Sequence, residues 1–184
     1  VRIGGWHITS DIMQAFQVME EDAERLKTLH GGVVQTSHDY RELIEIPNKI
    51  NNWNDERHSI SRSELIGVIR PRVEEILEKV RNKLIEAGLE QLPSQKAILC
   101  GGSSQLTGLH ELTSAHLNRQ VRISRPMRVQ GLPQAVGGPE FSAIIGQALQ
   151  LSSPQDECWD FLSPIDFMGR KKFLSAFNWI KENW

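Results

Sequence analysis

Residues 97–109 carry the sequence Ala97-Ile-Leu-Cys-Gly-Gly-Ser-Ser-Gln-Leu-Thr-Gly-Leu109. The apolar start predicts a short strand over residues 96–100, and the two glycines predict a tight turn. A helix over residues 108–118 and another strand over residues 121–124 follow. Because strand and helix alternate after residue 95, we expect an α/β fold.

The glycine turn in this stretch is also a candidate ligand site. Glycine permits close approach of the backbone to a flat or anionic ligand, and the helix that follows favours negative charge at its N-terminus. The spacing matches neither a Walker loop nor G-x-G-x-x-G, and Ser103 and Ser104 lack the G-x-S-x-G pattern of a hydrolase nucleophile. On this evidence alone, a purely geometric role for Gly101 and Gly102 is the alternative.

Upstream of this stretch, residues 1–5 are predicted to be a strand end and a turn. Thr9 or Ser10 is the predicted cap of a helix that begins at Asp11. A second helix is predicted from the acidic residues 20–22 to His30, and short strands are expected at residues 33–35 and 43–46.

A long helix is predicted from residue 61 to about residue 88. Ser61-Arg-Ser-Glu64 has the spacing of a capping box, and Pro71 predicts a kink or a break. This helix and the short strands before it predict an inserted lobe. Pro139 is the predicted first residue of a helix that extends to about residue 151.

The composition is that of an ordinary globular chain. Its 184 residues carry a net charge of −2, so no global basic field indicates nucleic acid. Cys100 and Cys158 lie far apart, the six histidines form no metal-binding pattern, and a reducing cytoplasm is the simplest prediction. Because the chain opens on Val1 and continues as the middle of a domain would, we expect a C-terminal portion of something longer.

Residues 167–184 predict an amphipathic helix that lies at a membrane surface. Its apolar side chains group near one helical meridian, and its polar surround is basic. The predicted apolar contacts are Phe173, Leu174, Phe177, Ile180 and Trp184, and the basic residues are Arg170, Lys171 and Lys172. A flexible linker is predicted over residues 152–166. A core or docking helix is the alternative for the terminal segment.

Glu24 and Lys27 are three residues apart, so they share one face of the second predicted helix. Such a pair could hold ribose hydroxyls and the edge of an adenine. A solvated ion pair with no ligand is the alternative.

The order of several motifs resembles that of the actin-like ATPases, a superfamily that includes actin and the Hsp70 chaperones. The motifs are Gly5-x-x-Ile8-Thr9-x-Asp11-Ile12, Ala23-Glu24-x-Leu26-Lys27-x-x-x-Gly31 and Ile98-Leu99-x-Gly101-Gly102. Gly131-Leu132, then Phe141-x-x-x-x-Gly146, and the terminal amphipathic segment are similar to the bacterial FtsA family in particular.

The resemblance implies the second half of an actin-like, ribonuclease H-like fold. Residues 1–10 and 94–151 would form subdomain IIA, and residues 11–93 would form the inserted α+β subdomain IIB. Residues 152–166 would be the linker, and residues 167–184 the membrane-targeting helix.

The resemblance also implies ATP as the ligand. Glu24 and Lys27 would contact the ribose and adenine, and Gly101, Gly102 and Ser103 would support the adenosine from the other side. Ser103 stands where FtsA proteins usually have a third glycine. Both phosphate loops and the Mg²⁺ ligands would lie upstream of Val1, so we do not expect this segment to hydrolyse ATP alone.

The partners implied are those of FtsA-like proteins, which tether the tubulin-like protein FtsZ to the cytoplasmic face of the bacterial inner membrane at the division site. The C-terminal tail of FtsZ would dock on Arg62, Arg70 and Arg72, where arginines suit an acidic peptide. Actin-like filaments, an anionic membrane and other divisome proteins would be further partners. The alternatives are another ATPase of the superfamily, such as a chaperone or sugar kinase, and an actin-like protein of pilus assembly.

Overall fold

A computed structural model of the chain describes residues 1–46, 58–89, 96–126 and 133–152. Within these ranges, five α-helices alternate with two pairs of short strands. In chain order they are α1 (Gly5–Phe16), α2 (Glu20–His30), β1 (Leu43–Ile46), β2 (His58–Ser61), α3 (Arg62–Glu86), β3 (Ala97–Leu99), α4 (Leu109–Leu117), β4 (Val121–Ile123) and α5 (Ser142–Ser152).

The strands form two separate two-stranded sheets. β1 and β2 are antiparallel, and Leu43 pairs with Ser61 in their register. β3 and β4 are parallel, and Ala97 pairs with Val121. The helix α4 connects β3 to β4, as a parallel pair requires a crossover. The predicted mixed α/β fold is therefore confirmed.

The core lies where α1 packs against both α2 and α3. Ile8 and Ile12 of α1 are buried one helical turn apart, and Leu65 and Ile69 of α3 repeat that spacing. Ala23 and Leu26 add buried apolar side chains from α2. This packing fixes α1 between the two other helices, and α1 also carries the polar contacts of the site.

The helix α3 begins at the predicted capping box and continues through Pro71. The Ser61 hydroxyl accepts from the Glu64 N–H, and the Glu64 carboxylate accepts from the Ser61 N–H at 2.7 Å. The expected break at Pro71 is absent, because α3 is one helix from Arg62 to Glu86. Buried side chains on both sides of the proline, Ile69 and Val73, keep the helix against the core.

The predicted start of the first helix was wrong. The helix α1 begins at Gly5, with Gly4 as its N-cap, rather than at Asp11. The Gly4 N–H donates to His7 Nδ1 at 3.2 Å, and the His7 N–H donates to the Gly4 carbonyl at 3.0 Å. These reciprocal bonds satisfy the helix start, so Thr9 lies in the second turn and its hydroxyl has other partners.

Two further local predictions need correction. Residues 33–35 form no strand; Gly32 makes a single parallel bridge to Thr107, and the buried Val33 donates its N–H to the Thr107 carbonyl. The helix predicted from Pro139 begins as a 3₁₀ turn, Pro139–Phe141, before α5 starts at Ser142.

The predicted linker beyond Ser152 and the predicted amphipathic segment lie outside the described residues, as does Cys158. The same holds for every predicted membrane contact: Arg170, Lys171, Lys172, Phe173, Leu174, Phe177, Ile180 and Trp184. Of the helices in the described ranges, none has the length and apolar character needed to cross a bilayer.

Candidate functional site

Glu24 and Lys27 form an ion pair on α2, as their spacing predicted. Lys27 Nζ lies 2.5 Å from Glu24 Oε2. The two side chains differ in burial, since 9% of the Lys27 side chain is exposed against 49% for Glu24. The ammonium is therefore enclosed by protein, whereas the Glu24 side chain is half exposed.

The partners that enclose Lys27 come from α1. Its ammonium donates to Thr9 Oγ1 at 2.9 Å and to the Gly5 carbonyl at 3.3 Å, in addition to Glu24. Thr9 Oγ1 also lies 2.6 Å from Glu24 Oε2. Thr9 and Gly5 are one helical turn apart, so α1 presents both oxygens to the same ammonium.

The glycine turn meets this cluster at Gly5. A β-carbon placed on Gly5 would lie 2.4 Å from Ser103 Oγ and 3.6 Å from Lys27 Nζ, so Gly5 leaves room for both side chains. Gly101 has a φ of 90°, a conformation that favours glycine. The structure thus brings the two predicted parts of the site, the pair on α2 and the turn after β3, together at one glycine.

The turn itself is held by contacts within its own region. The Gly101 N–H donates to the Pro139 carbonyl at 2.9 Å, and the Ser104 hydroxyl donates to the Gly101 carbonyl at 2.7 Å. A β-carbon on Gly102 would lie 3.8 Å from Glu140 Cβ. The 3₁₀ turn Pro139–Phe141 therefore supports the glycine turn.

The charge at the site is fixed by these contacts. Partial burial raises the pKa of Glu24, but hydrogen bonds from Lys27 and Thr9 and the charge of Lys27 outweigh it, so the pKa lies below its ordinary value. The carboxylate is consequently ionised at neutral pH and acts only as an acceptor. A hydroxyl or amine donor on a ligand is the chemistry that it suits.

The three arginines predicted for peptide docking lie on α3, and each has a carboxylate partner. Arg72 Nε donates to Asp11 Oδ2 at 2.5 Å and Arg72 Nη2 donates to Asp11 Oδ1 at 2.8 Å, so α1 and α3 are joined by a bidentate pair. Hydrogen bonds from Arg72 to Asp11 raise the pKa of the guanidinium above its ordinary value. Arg72 therefore has a structural role that the sequence did not reveal.

Arg62 and Arg70 lie at separate places along α3. Arg62 contacts Asp39 at 3.2 Å and Glu42 at 3.3 Å, and its Nε donates to the His30 carbonyl. Arg70 is closer to solvent and pairs with Glu74 one turn later at 2.8 Å. The three arginines are therefore distributed along the helix, and Arg70 is the most exposed of them.

From the sequence, Thr9 was predicted only as a helix cap, and Gly5 was given no role of its own. Both residues stand in the first motif of the resemblance, Gly5-x-x-Ile8-Thr9, and that motif was the available signal. Its spacing puts the Gly5 carbonyl and the Thr9 hydroxyl on one face of α1, the face that meets α2.

A sequence profile described as "Cell division protein FtsA" matches residues 1–146. The chain belongs to the FtsA family of cell-division proteins. It is 34% identical to FtsA of Rhizobium meliloti (strain 1021) over 185 residues, which cover all of this chain and 42% of that protein. FtsA of Agrobacterium fabrum is 40% identical over 146 residues, which cover 79% of this chain and 33% of the relative.

FtsA of Escherichia coli (strain K12) is 30% identical, over 76% of this chain and 34% of the relative. The chain thus spans less than half the length of these FtsA proteins. Its predicted family is confirmed, and the chaperone, sugar-kinase and pilus-assembly alternatives are not favoured.

Solved structures show the same fold at low sequence identity. MreB5 of Spiroplasma citri bound to AMPPNP aligns with a TM-score of 0.57 and 16% identity, over 83% of this chain and 45% of that one. A PilM–PilN complex of type IV pilus biogenesis aligns with a TM-score of 0.54 and 21% identity, over 84% and 38%. The fold of this FtsA-family chain is therefore actin-like.

Proposed function

We propose that this FtsA-family chain supplies one wall of an ATP site in a cell-division adaptor that tethers FtsZ to the cytoplasmic membrane. One observation supports the nucleotide site above all others: the Glu24–Lys27 pair and the turn at Ser103 converge on Gly5. Segments far apart in the sequence thereby face one small space.

The residues at this place fit the adenosine part of the nucleotide. The Glu24 carboxylate would accept hydrogen bonds from ribose hydroxyls, with Lys27 beside it, and the backbone at Gly101 and Gly102 would approach the nucleoside closely. Supporting this, the similar MreB5 structure holds AMPPNP. ATP would be the exchangeable ligand of the adaptor. The groups described here suit its nucleoside, and no hydrolysis is assigned to them.

The test is calorimetric titration of the 184-residue chain with adenosine and with ATP. We expect saturable binding that Glu24→Gln weakens about tenfold, because a neutral amide accepts less strongly than a carboxylate. Gly5→Val should abolish binding, since its side chain would occupy the space of Ser103 Oγ. Glu74→Gln, on the exposed face of α3, is the matched control. Equal affinity in the wild type and Glu24→Gln would overturn the site.

The membrane part of the proposal rests on the sequence of residues 167–184. Its aromatic stripe and basic surround favour the interface of an anionic membrane. A single such helix would bind weakly, whereas self-association into actin-like filaments would present many copies and bind tightly. Such filaments would act at the division site together with other divisome proteins.

Liposome co-sedimentation tests this anchor with and without residues 167–184. We expect the full chain to pellet with anionic vesicles and the shortened chain to stay in the supernatant. The double variant Lys171→Glu, Lys172→Glu is the charge control. It should reduce binding to anionic vesicles but not to neutral ones. Equal sedimentation of the full and shortened chains would remove the anchor.

The FtsZ tail is proposed to bind along α3, at the basic side chains Arg62, Arg70 and Arg72. Because Arg72 already pairs with Asp11 and Glu75, an acidic peptide would have to compete for it, while Arg70 is more accessible. Fluorescence anisotropy with a labelled FtsZ tail is the assay. Arg72→Glu and Arg70→Glu should each weaken binding, and an unchanged affinity would exclude that residue.

A further inference from the structure

We propose that Thr9 is a positioning residue for the nucleotide site: its buried hydroxyl fixes the Glu24–Lys27 pair so that one carboxylate oxygen faces the ligand. The proposal rests on the nucleotide function proposed above and adds a residue to it. It also assigns Lys27 to holding the Glu24 carboxylate, whereas the resemblance implied that Lys27 contacts the ribose and adenine.

The hydroxyl of Thr9 is at the centre of the cluster. Thr9 is only 1% exposed, and Oγ1 lies 2.6 Å from Glu24 Oε2, 2.9 Å from Lys27 Nζ and 3.1 Å from the Gly5 carbonyl. A hydroxyl has one hydrogen to donate, so it donates to Glu24 or Gly5 while it accepts from Lys27. One side chain thereby connects both members of the pair to α1.

The contacts of Glu24 leave one of its oxygens unused. In the described ranges, the hydrogen bonds from Thr9 and Lys27 both reach Oε2, and the side chain is half exposed. Holding Oε2 in place leaves Oε1 free to turn outward. With Oε2 held, Oε1 of the ionised carboxylate can accept a hydrogen bond from a ligand hydroxyl or amine in a defined direction.

The contacts of Lys27 leave its ammonium with no spare hydrogen. It has three hydrogens and three protein acceptors, which are Glu24 Oε2, Thr9 Oγ1 and the Gly5 carbonyl. A buried ammonium that is satisfied in this way cannot contact a ligand without giving up a protein partner. Lys27 therefore acts through Glu24 in this arrangement, together with Thr9.

Threonine suits this position because of its place in the helix. Its hydroxyl lies within reach of the carbonyl one turn earlier, a bond that threonine makes readily in helices. Its branched β-carbon also restricts rotation of the side chain. Thr9 Oγ1 is thus fixed in position in the absence of ligand.

Thr9→Val and Thr9→Ser separate the hydroxyl from the shape of the side chain. Valine keeps the branched shape and removes the oxygen, while serine keeps the oxygen. We expect Thr9→Val to weaken adenosine binding about tenfold, since a hydrogen bond to a charged group is lost. Thr9→Ser should remain within about threefold of the wild type.

A second measurement does not need the nucleotide. A ¹³C NMR titration of the Glu24 carboxyl should show its pKa rising in Thr9→Val, because a hydrogen bond to the ionised form is lost, and returning in Thr9→Ser. Lys27 is the charged group that acts on this carboxyl. If the wild type fails to bind adenosine, the nucleotide function is overturned while this readout still tests Thr9.

A double-mutant cycle with Glu24→Gln tests whether Thr9 acts through Glu24. We expect Thr9→Val to add little to the loss of affinity in the Glu24→Gln background, whereas a general structural effect would add in full. Circular dichroism checks folding, and Thr9→Ala replaces the valine variant if that variant does not fold. An unchanged Glu24 pKa in Thr9→Val, or fully additive losses of affinity, would overturn the proposal.

Discussion

At the level of single residues, Asp39 shows how the chain stabilises a buried charge. Its side chain is 3% exposed, and it accepts from the Thr36 N–H at 2.6 Å and from the Thr36 hydroxyl at 2.9 Å. Arg62 approaches the other oxygen at 3.2 Å. The hydrogen bond from the Thr36 backbone is the main cause that lowers the pKa of Asp39, and burial opposes it.

Replacing this carboxylate should destabilise the chain clearly. We expect Asp39→Ala to lower the free energy of unfolding by about 2–3 kcal/mol, because the Thr36 N–H and the guanidinium of Arg62 lose a buried acceptor. Urea denaturation followed by circular dichroism measures this loss. Glu42→Gln, which removes a half-exposed partner of Arg62, is the control and should cost less than about 1 kcal/mol. Equal losses would contradict the assigned role.

The same residue should make stability depend on pH. Because the pKa of Asp39 is lower in the folded chain than in the unfolded chain, its ionised form stabilises the fold above its ordinary value of about 4. This contribution should be lost as the pH falls from about 4 through the lower folded pKa. The difference in unfolding free energy between the wild type and Asp39→Ala should therefore shrink in that range. A difference that stays constant from pH 6 to pH 3 would contradict this.

At the level of helices, α1 joins the other two by different chemistry on different faces. Thr9 contacts α2, while Asp11, two residues later, pairs with Arg72 of α3. Residues two apart point about 200° away from each other on a helix, so the two contacts lie on opposite sides. The helix α1 is therefore held on two sides, by α2 through Thr9 and by α3 through Asp11.

Removing Asp11, one of the two acidic partners of Arg72, should make the arginine easier for a peptide to reach. We expect Asp11→Asn to reduce the free energy of unfolding by about 1–2 kcal/mol and to increase the affinity for an acidic peptide severalfold, because the peptide no longer competes with Asp11. Denaturation and fluorescence anisotropy measure the two effects. Glu74→Gln, which releases the exposed Arg70, is the matched comparison. A weaker peptide affinity in Asp11→Asn would show that Arg72 binds the peptide only when Asp11 of α1 holds it in place.

The same elements show what the sequence could and could not predict. The capping box at Ser61, the strand at residues 97–99 and the strand that begins at Val121 were all predictable from local patterns. The start of α1 was not, because Gly4 caps it through the His7 ring rather than through the usual Ser, Thr or Asp side chain. The pairing of Arg72 with Asp11 joins residues 61 apart, and no local pattern encodes it.

The candidate site was predictable in part for the same reason. Glu24 and Lys27 follow from helical spacing, and the glycine turn follows from its sequence. Their convergence at Gly5, and the place of Thr9 between the two charged groups, depend on how α1 packs on α2. Packing of that kind is set by tertiary contacts rather than by the period of the sequence.

For the molecule as a whole, ligand binding should be visible as stability. A ligand that binds only the folded chain stabilises it by an amount set by its concentration relative to Kd, about 2.7 kcal/mol at a hundredfold excess over Kd. We expect adenosine to raise the Tm of the wild type and of Glu74→Gln equally. Glu24→Gln at the same adenosine concentration should show a smaller rise. An identical rise in all three would place the ligand elsewhere.

The span of the Asp11–Arg72 pair has a consequence for the order of folding. The strands β3 and β4 pair across only 24 positions, from Ala97 to Val121, whereas Asp11 and Arg72 are 61 positions apart. Closing the longer loop costs more chain entropy, and distant contacts slow folding. In refolding kinetics, we therefore expect the β3–α4–β4 unit to form early and the docking of α1 on α3 to come late, so that Asp11→Asn mainly accelerates unfolding.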